Sequence, residues 1–433
     1  MATTNSSLAP VKVSVSDKRK VVAASFVGNF VEWFDYASYG YLATMIAAAF
    51  FPTRNPTAGL LATFGVFAIS FVVRPFGGMV WGRIGDRMGR KTALALSILV
   101  MSGSTTAIAF LPTYRQVGLA APLLLLVVRM VQGFSASGEY AGASTFLAEY
   151  APVRRRGLQV SVVPASTAAG LLFGSLLATL LTGALSKPEL TSVGWRLPFL
   201  LALPLGVIGW YIRNRLEDTP VFRSLEPAEH AAAPVKETLV RNRKAIGLAF
   251  GATLLNAVGF YLVLSYMPTY LSTEAHLGST ASFVGTTVSL IIYIFFIFAA
   301  GALSDRFGRK TMLIAASVCF MALTVPLFAL LDHVSFTGIV LIEVILGAML
   351  TMNDGTLATY LTEVFPTRVR YTGFAFSFNA ANALFGGTAP FVATLLISLT
   401  GSKLAPAWYL VAAATVTLAA MLASKETAGK PLQ

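Results

Sequence analysis

Charge is scarce in this chain. Only 12% of its 433 residues are Asp, Glu, Lys or Arg, against roughly a quarter in soluble domains. A soluble protein with 56% hydrophobic residues and a mean hydropathy of +0.72 would lack the polar surface to stay dispersed. Cysteine is nearly absent. The single Cys319 excludes an intrachain disulfide and, lying in an apolar run, reads as packing. Histidine is also sparse: His230, His276 and His333 fall in loops without ligand spacing, so no metal site is expected. A Walker loop is missing, which excludes ATP as the direct driver. The N-terminal MATTNSSLAPVKVSVSDKRK has no early apolar region of a cleaved signal peptide. The first span, from about Val22, is expected to act as its own insertion signal.

What the chain does have is apolar length. Uncharged stretches such as Thr92–Tyr114 and Leu158–Ser186 suit a bilayer span. Barrel strands would alternate in polarity over about ten residues, and these runs are apolar on nearly all sides. An all-α membrane protein with twelve transmembrane helices is therefore expected. The helices fall near 22–49, 58–82, 93–111, 118–148, 158–184, 195–213, 245–271, 281–303, 312–331, 336–361, 371–399 and 405–424.

The net charge of +13 finds its explanation in where the cations lie. The N-terminus, the even-to-odd loops and the C-terminus carry 25 of the 32 Lys and Arg. The other loops carry Arg54, Arg115, Lys187 and Lys403; Arg196 starts a span, and Arg74 and Arg129 fall inside spans. By the positive-inside rule both termini are cytoplasmic, and nucleic-acid binding is not expected. The longest loop, about 214–244, is charged and contains Pro220, Pro227 and Pro234. It reads as a cytoplasmic linker between a six-helix half at 1–213 and another at 245–433.

A charged eleven-mer occurs twice. GRIGDRMGRKT (82–92) and GALSDRFGRKT (301–311) match at seven positions, 219 residues apart. One joins helices 2 and 3, the other helices 8 and 9. FLAEYAPVRRR (146–156) and YLTEVFPTRVR (360–370) form a second echo after helices 4 and 10. Two halves of the same topology, related by an axis along the membrane normal, suit alternating access around a midplane site.

GRIGDRMGRKT resembles the signature of the major facilitator superfamily. GNFVEWFDYASYGY, FVVRPFGG, VQGFSASGEYAGASTFLAEYAP, GWRLPF, SYMPTYL and TEVFPTRVRYTG are similar to motifs of its metabolite:proton symporter family. The resemblance covers nearly the whole chain. It implies two charge clusters that close the cytoplasmic side, Asp86, Arg90 and Glu149 in the first half and Asp305, Arg309 and Glu363 in the second. It also implies a bacterial inner-membrane protein driven by the proton gradient without a cofactor. A monomer that is not an enzyme is expected.

Ionisable residues inside spans usually mark a pathway. Here they are Glu32, Asp35, Arg74, Arg129, Glu139, Glu343 and Asp354. Burial raises the pKa of a carboxylate and a nearby guanidinium lowers it, so a partner that changes with conformation couples protons to motion. Glu32 and Asp35, with Glu139, are the candidate proton carriers. A static ion pair tying helix 1 to helix 4 is the alternative. Arg129 suits a substrate carboxylate, because a guanidinium forks onto two oxygens; a pair with Glu139 or Glu32 is its rival role. Arg74, which precedes Pro75, suits a structural or gating pair more than substrate. Asn29, Tyr36 and Tyr39 make a polar, aromatic stripe on helix 1, and Gln132, Tyr261, Asn379 and Asn382 add polar groups that could reach substrate. Asp354 and Glu343 depart from the family pattern and are candidates for setting substrate choice.

Members of the family carry small carboxylates such as 2-oxoglutarate, citrate and shikimate, or zwitterions such as proline and betaine. LALPLGVIGWYIRNRLEDTPVF, SYMPTYL and KETAGKPL look closest to the proline/betaine type. A zwitterion needs one cation for its carboxylate and aromatic faces for its ammonium, which Trp33, Tyr36, Tyr39 and Tyr261 could supply. A di- or tricarboxylate symporter, a drug-exporting antiporter and a non-transporting receptor are the alternatives. The chain ends about nine residues beyond helix 12, so osmotic sensing through the long C-terminal coiled coil of the proline/betaine osmosensor is not expected.

Overall fold

A computed structural model describes residues 15–53, 56–215, 218, 240–275, 277 and 279–432. Arg54, His230, His276 and most of the linker expected at 214–244 lie outside the described residues. Two six-helix halves form the molecule. In the first, α1 spans Val15–Tyr41 and continues after a turn as Ala43–Phe50. It is followed by α2 (Ala62–Met88), α3 (Arg90–Phe110), α4 (Ala120–Tyr150), α5 (Val153–Leu181) and α6 (Gly194–Asn214). The second half holds α7 (Arg243–Leu271), α8 (Val284–Phe307), α9 (Arg309–Leu330), α10 (Phe336–Glu363), α11 (Thr367–Thr400) and α12 (Ala405–Ala423). Among the described residues, eleven helices, α2–α12, are long and apolar enough to cross a membrane. The polar Asn29, Glu32 and Asp35 set α1, the twelfth, apart. The expected boundaries shift by a few residues, most at α1, which starts before Val22.

Packing follows the repeat. Within the halves, α1 lies along α5 and α7 along α11, while α3 pairs with α6 and α9 with α12. Between them, α2 crosses α11 and α5 crosses α8. Small residues allow these crossings: a methyl group on Gly82 would lie 2.5 Å from the Thr372 Cα, and one on Gly301 would lie 2.7 Å from the Gly157 carbonyl. The repeated loops turn on Gly89 (φ 101°) and Gly308 (φ 98°), a backbone region that side chains disfavour.

Four helices lose regularity near the centre; α2 does so at Val73. Helix α4 breaks at Ser137 and Gly138; the freed Ser137 carbonyl accepts Asn379 Nδ2 (2.8 Å) from α11 of the other half, and the Gly138 carbonyl accepts the Tyr371 hydroxyl (2.6 Å) beside the Gly142 amide (2.9 Å). A freed carbonyl inside a membrane must be satisfied by protein in this way. Helices α7 and α11 each widen into a π-helical stretch, at Phe260–Tyr266 and Asn382–Gly386, a distortion that often marks functional sites.

Candidate transport site and gate

At the end of the bundle that carries the repeated loops, every residue of the two expected charge clusters is paired. Arg90 lies 3.2 Å from Asp86 and 3.3 Å from Glu149. Arg309 lies 2.7 Å from Asp305 and 3.3 Å from Glu363. Two arginines counted in the sequence only as loop charges complete the clusters across the halves: Arg370 reaches Glu149 at 2.7 Å, and Arg156 reaches Glu363 at 2.7 Å. Both pairs are buried.

The two aspartates cap helices of the opposite half. Asp86 accepts the amides of Tyr371 (3.3 Å) and Thr372 (3.0 Å) and the Thr372 hydroxyl (2.7 Å). Asp305 accepts the amides of Gly157 (2.8 Å) and Leu158 (2.9 Å). Anionic caps at helix starts satisfy free amides and oppose the positive end of the helix dipole. The starts of α3 and α9 carry a third matched feature. Asp218 accepts the Arg90 amide (3.1 Å), and Glu426 accepts those of Arg309 (2.9 Å) and Lys310 (3.1 Å). Burial pushes the Glu426 carboxyl up, but amides of Ala428, Arg309, Thr427 and Lys310 outweigh it and hold the group below its ordinary value.

Deeper in the first half stand three buried carboxylate–guanidinium pairs. Glu32 meets Arg74 at 2.7 Å, and Arg74 also donates to the Tyr36 hydroxyl at 2.5 Å. Asp35 accepts Arg129 Nη1 (2.8 Å) and Gln132 Nε2 (2.6 Å). Asp35 and Arg129 thus form an ion pair between helices 1 and 4, the alternative to proton carriage, and Asp35 stands where Glu139 or Glu32 was the rival partner for Arg129. Arg129 also sits 4.1 Å over the Tyr39 ring, and among the described residues its Nε and Nη2 have no hydrogen-bond partner. Arg74 is tied to α1 and stands apart from the end that holds the gate-like clusters. Glu139 is gripped by both terminal nitrogens of Arg213, one at 2.9 Å. Arg213, which sequence reasoning placed among the loop cations, is buried and also donates to the carbonyls of Leu94 (2.8 Å) and Ala24 (3.2 Å). Its position at the very end of α6 hid it.

Between the halves lies a small cavity of about 10 Å³, no larger than a single water needs. Trp33, Tyr140, Phe260 and Phe378 supply aromatic surface, and Thr167, Asn256, Asp354 and Asn382 supply polar groups. Tyr140 stacks on Phe378 at 4.5 Å, and Trp33 meets Phe260 at 4.8 Å. Asp354 accepts Asn256 Nδ2 (2.8 Å) and the Tyr293 hydroxyl (2.5 Å). Of the residues expected to reach substrate, the cavity gathers Trp33, Asp354 and Asn382. Tyr261 stands behind it, its ring 6.3 Å from that of Trp33.

The others are engaged elsewhere. Asn29 bonds Val163, Ser166 and Thr167 of α5, and the Tyr39 hydroxyl donates to the Thr63 carbonyl. Asn379 ties α11 to α4, and Glu343 accepts Thr286 (2.9 Å) away from the cavity. Tyr140, Phe260, Phe378 and Tyr293 were not singled out from the sequence, because aromatics in apolar helices look like packing. Among the described residues, no group of three His, Cys, Asp or Glu is placed to hold a metal ion.

A family model described as Major Facilitator Superfamily matches residues 25–286 and again 250–431. The chain is 38% identical to the glycine betaine/proline/ectoine/pipecolic acid transporter OusA of Dickeya dadantii, over 96% of this chain and 85% of that one. It is 35% identical to the proline/betaine transporter of Escherichia coli K12, with the same coverage. Among solved structures, it resembles the proton:xylose symporter XylE bound to 6-bromo-6-deoxy-D-glucose. The TM-score is 0.80 at 18% identity, covering 97% of this chain and 98% of that one. Repeated loops, mirrored packing and these matches together make the chain a multi-pass membrane transporter that belongs to the Major Facilitator Superfamily.

Proposed function

We propose that the protein is a proton-coupled symporter that imports a small zwitterion of the proline or betaine kind by alternating access. The observation that carries this reading is the cavity between the halves, where aromatic walls, one carboxylate and neutral donors face a solute of mixed charge. The names of the 35–38% identical relatives point to the same substrates. A di- or tricarboxylate fits poorly, since among the described residues no Lys or Arg lines the cavity.

In this reading Glu32 and Asp35 carry the proton, with Glu139 as a third candidate. Protonating either carboxylate on α1 weakens its hold on Arg74 or Arg129 and frees α1 to move against α2 and α4. The freed donors of Arg129 are the reserve cation for a substrate carboxylate during that motion. Asp86, Arg90, Glu149, Asp305, Arg309 and Glu363, with Arg156 and Arg370, form the cytoplasmic gate. Units 1–213 and 245–433 rock about it, joined through 214–244. Both termini are cytoplasmic, the membrane is the bacterial inner membrane, and a monomer suffices. The driving force is adequate without nucleotide: one proton crossing 100 mV supplies about 2.3 kcal/mol, worth roughly 50-fold accumulation of a neutral solute.

Proteoliposome uptake under an inward proton gradient tests the proposal, with internal pH followed during challenge by proline, betaine, 2-oxoglutarate and citrate. Acidification with proline or betaine, lost in Asp35→Asn, is the expected result. Acidification only with 2-oxoglutarate or citrate overturns the zwitterion assignment. Silence with all four in folded protein overturns transport itself and leaves the receptor alternative.

A further inference from the structure

Asp354 differs from the other central carboxylates in its company. Glu32, Asp35 and Glu139 each hold a guanidinium. Asp354 is 1% exposed, and among the described residues it forms no ion pair. Its two oxygens are held by neutral donors, Asn256 Nδ2 and the Tyr293 hydroxyl. A carboxylate in a membrane protein interior is costly unless something offsets its charge. Since it lines the cavity, the offsetting group can be the occupant.

The rest of the lining narrows the chemistry of that occupant. A primary ammonium would need several hydrogen-bond acceptors around its N–H groups, and among the described residues the non-aromatic lining besides Asp354 offers only the side-chain oxygens of Thr167, Asn256 and Asn382. Trp33, Tyr140, Phe260 and Phe378 instead present aromatic surface, which attracts a diffuse, methylated cation through the ring quadrupole and requires no N–H. The anionic end of a zwitterion meets no cation here. It finds only neutral donors such as Trp33 Nε1, which has no hydrogen-bond partner among the described residues. Recognition is therefore weighted toward the cationic end.

Resting on the reading of this cavity as the transport site, we infer that Asp354 is the counter-ion of an aromatic cage for a quaternary ammonium group. The protein then also binds and carries quaternary ammonium cations that have no carboxylate. Tyr293 and Asn256 are positioning residues that aim the Asp354 oxygens at the cavity.

The test uses the full chain, with tetramethylammonium and choline as probes. Equilibrium binding of each is measured in detergent, and choline uptake is measured in proteoliposomes beside glycine betaine uptake. Both cations are expected to bind and to compete with betaine, and choline is expected to be taken up. Asp354→Asn, nearly isosteric, should weaken tetramethylammonium binding about 100-fold, and Asp354→Glu should restore part of it. Phe378→Leu, which keeps the charge and removes one ring, should weaken binding about tenfold. Betaine uptake that persists while neither cation binds or competes overturns the cage and leaves the symporter reading standing. Unchanged cation binding in Asp354→Asn overturns the counter-ion role. If the intact protein carries no solute, the symporter reading fails, and saturable tetramethylammonium binding that Asp354→Asn abolishes still upholds the cage.

Discussion

The two aspartates that cap the opposite half's helices should set how often the loop end opens. Asp86 accepts three hydrogen bonds across the interface, from the Tyr371 and Thr372 amides and the Thr372 hydroxyl. Bonds to a charged acceptor contribute about 1.5–3 kcal/mol each. Asparagine keeps one acceptor oxygen, and water replaces part of the loss when the end opens. The net cost of Asp86→Asn in the closed state is then close to one such bond, a 10- to 100-fold shift toward opening at about 1.4 kcal/mol per tenfold. Asp305→Asn, which loses bonds to Gly157 and Leu158, should cost the same. The two aspartates share no partner, so the double variant should shift the balance by roughly 10²–10⁴. Maleimide labelling reads this directly. Cys319 is replaced by alanine, and a cysteine is placed at Ala375, which is buried where α2 crosses α11. The labelling rate then tracks the open fraction. Rates within twofold of the parent in both single variants and the double, in protein of unchanged melting temperature, would refute the reasoning.

Breaking the Glu139–Arg213 pair from one side leaves a buried charge. Glu139→Gln or Arg213→Met alone should destabilise the protein by about 3–5 kcal/mol, and the double variant by much less, as measured by thermal melting in detergent. Asn379→Leu strands the Ser137 carbonyl at the break in α4 and should cost about 1–3 kcal/mol in the same assay. Glu426 has a lowered folded pKa, so its contribution to docking the C-terminal segment is complete above its ordinary value of 4.5 and is lost as pH falls through the folded value. Peptide cleavage after Lys425 by an acid-tolerant protease should therefore accelerate only below pH 4.5. Glu426→Gln should be cleaved quickly at neutral pH as well.

Long uncharged runs and the distribution of cations made the helices legible before any coordinates, because the bilayer demands both. The duplicated eleven-mer likewise marked the loops that hold Asp86 and Asp305. Pairing was legible only in part: the resemblance implied the two charge clusters, and a static pair between helices 1 and 4 was one alternative, but not which residues would form it. Arg129 joins Asp35 rather than Glu139 or Glu32, because the choice depends on how α1 rotates against α4, which spacing alone leaves open. Arg156, Arg213 and Arg370 obey the positive-inside rule so well that nothing in the sequence separates them from exposed loop cations. The cavity escaped notice for a related reason. Tyr140, Phe260 and Phe378 belong to helices 4, 7 and 11, and only tertiary packing brings them to one wall. Asp354 did stand out, because an acid in an apolar helix is costly wherever it lies.

The crossed caps also bear on how the chain is made. The start of α5 depends on Asp305, which lies 148 residues beyond Gly157. At a synthesis rate of about 5–20 residues per second, the first half waits roughly 7–30 s on the ribosome before that carboxylate exists. Until then the Gly157 and Leu158 amides must rely on headgroups, water or an insertase, and the Arg156 guanidinium waits longer still, for Glu363, 207 residues on. The first half is thus an unfinished assembly intermediate, and its last step is the arrival of its sibling.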